Sequence, residues 1–361
     1  MELLLDYLIF LLKVFTIALA VTVPLLMIIG SSKGKSLPKG KLSISNLSEK
    51  YEEMGNAVKG SLMNPKELKK FNKEEEKKKK KKKKNKEDTE ESVFVLNFKG
   101  DIQASEVEKL KQEINAILLS ETQCKEVVVK VESGGGSAYA YGLCAAELKR
   151  LVDNKINLTV CIDKVAASGG YLMSCVASKI IAAPWAIVGS IGVIAQLPNF
   201  HRLLKKNLID FEMHTAGEFK RTLTTLGENT DAGREKFKED LEDLHLIFKD
   251  FVKEQRPQVD TDVVATGEVW QGEKALEVGL VDALETSDNY LVELSKSAKL
   301  FEINFEEKKN LSEKFAFSMQ LILEKSLMKF YDLINRDRFT SCQNLKLLNP
   351  RKEKIKTHYL S

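Results

Sequence analysis

Val127-Val128-Val129-Lys130-Val131-Glu132-Ser133-Gly134-Gly135-Gly136-Ser137, with the stretch from Ala138 to Val152 behind it, decides the fold class. Four valines among five residues suit a pleated, buried strand. The run ends on three glycines, which lets the backbone turn sharply. Ala138–Val152 is rich in good helix formers. Strand, glycine turn and helix in this order are part of a βαβ unit. The same grammar recurs on both sides. Upstream, Val93–Phe98 reads as a strand closed by Lys99-Gly100-Asp101, and Ser105–Leu119 repeats apolar residues at helical spacing through Val107, Leu110, Ile114, Ile117 and Leu118. Downstream, Leu158–Ile162 reads as a strand, and a small-residue helix runs from Ser168 through Cys175. The predicted fold class is α/β, with βαβ units and a largely parallel sheet.

Ile180–Leu197 is apolar enough to suggest a membrane span. Pro184, Gly189 and Gly192 interrupt it, and Ile and Val dominate it, so two buried strands are predicted instead. Asp231–Glu254 is an amphipathic helix, with Phe237, Leu241, Leu244, Phe248 and Phe251 on one stripe and Thr230 as N-cap. Leu311–Ile334 is a second amphipathic stretch, suited to the domain, another subunit or a membrane surface.

Tyr7–Ile29 contains a single charge, Lys13, and is long enough to cross a ~30 Å hydrocarbon core. Glu2 and Asp6 precede it and no clear small-x-small site follows, so residues 1–30 are read as an uncleaved transmembrane anchor rather than a signal peptide. Residues 31–92 read as a polar, Lys/Glu-rich linker with weak helical potential around Leu42–Leu62. Residues 93–300 form the main domain and 301–361 a C-terminal helical extension. Lys77–Lys84 is an unbroken lysine run that anionic lipid would attract, although a solvated low-complexity linker is the simpler reading. Lysines following the anchor place the main domain in the cytoplasm by the positive-inside rule.

The formal net charge is +4, but Lys73–Lys86 alone carries ten lysines against three glutamates, so the remainder is slightly acidic. No broad basic surface argues for nucleic acid. The five cysteines are scattered singly, which suits neither a zinc site nor a disulfide framework. Cys144, Cys161 and Cys175 read as small core residues. No P-loop and no G-x-G-x-x-G spacing occurs, and neither a cofactor nor a metal is expected.

The chemistry gathers on three places. In Ala166-Ala167-Ser168-Gly169-Gly170, a strand-to-helix junction would present the Ser168 hydroxyl beside free helix N–H groups, which suit a tetrahedral oxyanion. Gly134-Gly135-Gly136 could supply a further N–H from the opposite side. Lys220 lies in a mostly uncharged stretch, and burial there would lower an amine pKa from ~10.4 toward neutrality. A serine and a neutral lysine make a nucleophile and its general base. Of the four histidines, His201 and His214 are the ones that could reach such a site, while His245 falls among acidic residues and His358 in the tail.

Five motifs give the chain a resemblance. They are Glu132-Ser133-Gly134-Gly135-Gly136; Asp163–Tyr171; Ala186–Val193; Thr215-Ala216-Gly217-Glu218-Phe219-Lys220-Arg221; and Ala265–Trp270 followed by Gly279-Leu280-Val281-Asp282. Together they resemble the bacterial inner-membrane serine peptidases of the signal peptide peptidase A type, peptidase family S49, in its SohB branch. The N-terminal Met1-Glu2-Leu3-Leu4 and the following anchor look similar too. The resemblance implies a ClpP/crotonase-like fold, Ser168 as nucleophile, Lys220 as general base, and an oxyanion hole from the N–H groups of Gly169 and the Gly135–Gly136 turn. It also implies peptide or protein substrates, unfolded or membrane-derived, and homo-oligomers that share an active-site groove, and it pulls the domain toward the outer membrane face. The family usually has Ser-Pro-Gly-Gly where this chain has Ser133-Gly134-Gly135-Gly136, which loosens the turn. The alternatives are a crotonase-type acyl-CoA enzyme, whose fold also uses glycine-rich oxyanion holes, and a non-catalytic membrane scaffold.

Overall fold

The valine run does form a strand, and a sheet is built around it. The computed structural model describes residues 10, 13, 14, 16, 40–84, 91–120 and 122–307. Its strands are β1 (Gly40–Asn46), β2 (Ser92–Gly100), β3 (Cys124–Ser133), β4 (Asn157–Ile162), β5 (Val165–Ala167), β6 (Lys179–Ala182), β7 (Ile187–Gly189), β8 (Val269–Gln271), β9 (Ala283–Leu284) and β10 (Lys299–Glu307). The main path runs β1-β10-β2-β3-β4-β6-β9, and from β10 to β9 neighbouring strands are parallel. A branch leaves the end of β3: β5 pairs with β3 and β7 in parallel, and β8 closes on β7 antiparallel.

Leu96, Val129, Val160 and Ile180 occupy successive strands and are fully buried on one face of the sheet. Three helices cover this face: α3 (Val107–Leu119), α4 (Ala138–Asp153) and α5 (Gly169–Ser174), taken after α1 (Leu47–Ser61) and α2 (Pro65–Lys84) in chain order. Helix α4 buries Tyr141, Cys144, Ala145, Leu148 and Leu151, a stripe with steps of three and four. Each large aliphatic side chain removed from water here contributes roughly 1.5–3 kcal/mol. The other face carries a smaller cluster of Leu47, Val93, Val95, Val128, Cys161, Ile181, Leu291 and Leu300.

The predicted strands and helices of the main domain are present, with three differences. First, residues 31–92 are not wholly a linker. Gly40–Asn46 joins the sheet beside β10, and its backbone passes so close to Phe305 that a Cβ on Gly40 would lie 2.2 Å from that ring. Asn46 then caps α1, accepting from the Glu49 N–H at 3.1 Å, and Leu47 is buried. An edge strand buries little, so its composition stays polar and hides it in the sequence. Second, β10 carries the sheet to Glu307, past the expected start of the C-terminal extension. Third, Ile180–Leu197 holds β6 and β7, but residues 190–200 have no regular structure and Ile194 is exposed. The anchor over 1–30 lies almost wholly outside the described residues, as do Leu311–Ile334, Cys342 and His358. Among the described residues no helix is long and apolar enough to cross a membrane.

A titration is built into the α3–β10 contact. Glu113 is fully buried; its Oε1 accepts from the Phe305 N–H at 2.8 Å, while Oε2 has no partner among the described residues. Burial pushes its carboxyl from 4.5 up to about 7, against the pull of the Phe305 N–H and Lys109. A raised folded-state pKa means that the folded protein holds this proton more tightly than the unfolded chain. Stability from this group is full below about pH 4.5 and falls as pH rises toward 7. We expect Glu113→Gln to flatten that decline. Urea unfolding of both proteins at pH 5 and pH 8 checks it: the wild type should lose about 2–3 kcal/mol more than the variant between the two.

Candidate active site

Strand β3 positions the site by changing partners. Along Glu126–Lys130 it pairs with β4, but its last residue, Ser133, pairs with Ala166 of β5. The chain leaving β3 is the Gly134–Gly136 turn and the chain leaving β5 is Ser168, so neighbouring strand ends set the two side by side. A Cβ on Gly135 would lie 2.7 Å from Ala167 O, Gly169 N and Ser168 Cβ alike, and Gly135 has φ +87. Only glycine combines that approach with that backbone.

Ser168 caps α5 with φ 52 and ψ −120, a conformation that non-glycine residues rarely adopt. Holding it costs of order 1–3 kcal/mol, and such strain concentrates at functional sites. The surroundings enforce it. The Ser168 N–H donates to Gly189 O at 2.7 Å, and its carbonyl accepts from the Tyr171 and Leu172 N–H groups at 2.9 Å. The Ser168 side chain is half-buried, and its hydroxyl has no hydrogen-bond partner among the described residues. A strand–turn–helix with a strained serine at its apex exposes the hydroxyl for attack.

Of the three glycines read as oxyanion donors, Gly135 already donates its N–H to Ser133 Oγ at 3.0 Å. The N–H groups of Gly136 and Gly169 have no partner among the described residues. Gly169 is packed under Tyr141, whose ring would meet an added Cβ at 2.4 Å.

Two family models cover most of the chain. Peptidase family S49 N-terminal matches residues 2–148 and Peptidase family S49 matches residues 150–301. The chain belongs to peptidase family S49. It is similar to the "Probable protease SohB" of Buchnera aphidicola subsp. Schlechtendalia chinensis, 45% identical over 303 residues that cover 81% of this chain and 99% of that protein. It is equally similar to the "Probable protease SohB" of Haemophilus influenzae, 45% identical over 325 residues covering 87% and 92%. A solved structure, the 1510-N membrane protease specific for a stomatin homolog from Pyrococcus horikoshii, overlaps 56% of this chain and 78% of its own at 14% identity and a TM-score of 0.34. As a member of family S49 the chain is a serine peptidase, a hydrolase, and the acyl-CoA and scaffold alternatives are set aside.

The rest of the S49 chain distributes the candidate residues unevenly. Lys220 is exposed and makes no hydrogen bond to Ser168, so the burial expected of it is not found within the single chain. It lies on an arm from Gly192 to Leu226 in which no residue is buried. The arm is closed at its base, where Asn199 Nδ2 donates to Thr224 O at 2.9 Å and Gly227 O at 3.0 Å and the Phe200 N–H donates to Thr225 O at 2.8 Å. None of His201, His214 and His245 bonds to Ser168: His214 is exposed beside Glu212, and His245 Nε2 lies 3.2 Å from Ile191 O.

The buried cysteines are poor competitors for the nucleophile's role. Burial pushes the thiols of Cys144, Cys161 and Cys175 up to about 12, far from the thiolate that would react. Elsewhere, a cleft of about 240 Å³ opens at the ends of β2–β4, but its lysines are spoken for. Lys164 and Lys99 pair with Glu132 at 2.9 and 3.7 Å, and Lys109 pairs with Glu106 at 3.9 Å. It does not include Ser168.

Proposed function

We propose that the chain is a membrane-anchored endopeptidase of ClpP/crotonase-like fold, using Ser168 as nucleophile and Lys220 as general base on unfolded or membrane-derived peptides. The observation that carries the reading is the strained Ser168, whose hydroxyl has no hydrogen-bond partner among the described residues, beside the Gly136 and Gly169 N–H groups, which have none there either. The Ser168 hydroxyl attacks the peptide carbonyl and gives its proton to the neutral Lys220 amine. The carbonyl oxygen becomes an oxyanion that accepts from Gly136 and Gly169. Collapse breaks the C–N bond, the leaving amine takes the proton, and water then hydrolyses the acyl-enzyme.

A lysine that acts as a base works in a water-excluded site, whereas Lys220 is exposed within one chain, so the dyad needs cover. We infer that a second copy of the chain supplies it. The arm displays Ile194, Leu208, Ile209 and Phe219 more than half exposed, and such apolar surface marks interaction sites. Docked against another subunit, the arm would bury these side chains and dehydrate Lys220 together.

The test uses the full chain in detergent with a fluorogenic peptide and an unfolded protein. Wild type should hydrolyse both and run as an oligomer. Lys220→Ala should keep the native mass and lose about 100-fold or more in kcat, the usual share of a general base. A Lys220→Ala protein as active as wild type would remove the lysine from the mechanism.

A further inference from the structure

A chain of buried hydroxyls runs from the glycine turn to the loop after β2. The Gly135 N–H donates to Ser133 Oγ at 3.0 Å, Ser133 Oγ lies 2.5 Å from Tyr141 Oη, and Tyr141 Oη donates to the Asp101 carbonyl at 2.7 Å. The distances fix the direction of every proton. A carbonyl accepts only, so the single phenolic hydrogen is committed to Asp101. Tyr141 Oη must then accept from Ser133, whose remaining lone pairs receive the Gly135 N–H. Burial raises the Tyr141 phenol pKa further, which keeps that hydrogen in place. Aligned one-way chains of this kind reinforce themselves in a low-dielectric interior.

Both ends are anchored. The Asp101 carboxylate accepts from the Gln103 N–H at 3.1 Å, the Ser105 N–H at 2.9 Å and the Ser105 hydroxyl at 2.8 Å, which fixes the loop that carries the receiving carbonyl. Ser133 is 2% exposed and Tyr141 0%, so bulk water does not reach the hydroxyls to replace a lost partner. The Tyr141 ring also lies against Gly169. One side chain therefore supports both sides of the candidate oxyanion hole: Gly169 directly through its ring, and the Gly134–Gly135 peptide, which precedes the Gly136 N–H, by way of Ser133.

We propose that Ser133 and Tyr141 are positioning residues of this peptidase, which lock the Gly134–Gly135 peptide, and with it the Gly136 N–H that follows, and Gly169 at the spacing a tetrahedral oxyanion needs. By taking up the Gly135 N–H, the chain leaves Gly136 as the turn's donor. The inference rests on the proposed Ser168 mechanism.

The test compares the wild-type full chain with Tyr141→Phe, Ser133→Ala and the double variant, all in detergent. Tyr141→Phe keeps the ring against Gly169, so it isolates the hydroxyl. A fluorophosphonate that labels the nucleophile counts competent sites, and kcat per labelled site and KM are then measured. Each single variant should lose roughly 10–100-fold in kcat per site, below the ~100–1,000-fold seen when a donor is removed outright. KM should stay within about twofold, and the double variant should be no worse than the poorer single one, as expected for links of one chain. A residue that merely supports the fold would lower the number of labelled sites and leave kcat per site alone, and that result overturns the proposal. Additive losses in the double variant also overturn it. A wild type that fluorophosphonate does not label would sink the Ser168 reading and this inference together, whereas a reactive wild type matched by Tyr141→Phe would sink the inference alone.

Discussion

Alanine at Ser168 should lower kcat/KM for peptide cleavage by at least ~10,000-fold, the largest loss expected from any single substitution in this chain. Ser133 is buried and committed to Tyr141, and Ser174 donates to Gly170 O at 2.7 Å. Ser168 instead stands free at a strand–helix apex, beside N–H groups that can receive negative charge. Removing its oxygen leaves those donors intact, so peptide should still bind and fluorophosphonate labelling should vanish. A second comparison separates chemistry from strain. The Ser168→Ala variant would still hold a side chain at φ 52, a backbone that glycine adopts without penalty. Ser168→Gly should therefore be as inactive as Ser168→Ala yet more stable by about 1 kcal/mol, read as a higher midpoint of thermal unfolding. Retained cleavage in Ser168→Ala would end the serine mechanism. Equal stability of the two variants would mean that the site stores no strain at that backbone.

The sheet was legible in the sequence because its strands are buried on both faces. Val127–Val131, Leu158–Ile162 and Ile180–Ala182 read as continuous apolar runs for that reason. The places of Ser168 and the glycine turn at strand-to-helix junctions were legible as well, because an apolar run gives way there to glycine and then to a helix-prone stretch. Gly40–Asn46 was not, because an edge strand with most of its side chains in water loses the apolar signature. The arm around Lys220 was not legible either. Its apolar residues predict burial, yet within one chain they stay exposed. The Ser133–Tyr141 pair escaped for another reason. The residues are eight positions apart on a strand end and the first turn of α4, and the carbonyl that completes their chain, Asp101, is brought to them only by the parallel register that sets Gly100 beside Ser133.

Gly135→Ala should be nearly as damaging as losing the nucleophile, and its neighbour gives the control. At Gly135 the new methyl group would sit 2.7 Å from Ala167 O, Gly169 N and Ser168 Cβ, and the backbone would have to hold φ +87. Two of those three neighbours are main-chain atoms, which cannot swing aside as a long side chain does. Relief requires moving the turn away from Ser168, and that carries the Gly136 N–H out of reach of the oxyanion. We expect a loss of about 1,000-fold or more in kcat, comparable to deleting an oxyanion donor. We also expect a stability cost of about 3 kcal/mol, from left-handed strain and overpacking together. Gly134, one residue earlier, has no atom within 4 Å of the corresponding position and no positive φ. Gly134→Ala should therefore retain kcat within about threefold and stability within about 0.5 kcal/mol, as ordinary surface substitutions do. Kinetics and urea unfolding on the pair decide the matter. Similar losses in both would mean that the turn merely needs flexibility, and neither loss would mean that it can retreat without consequence. A loss confined to position 135 identifies close contact with Ser168 as what the glycine is there to permit.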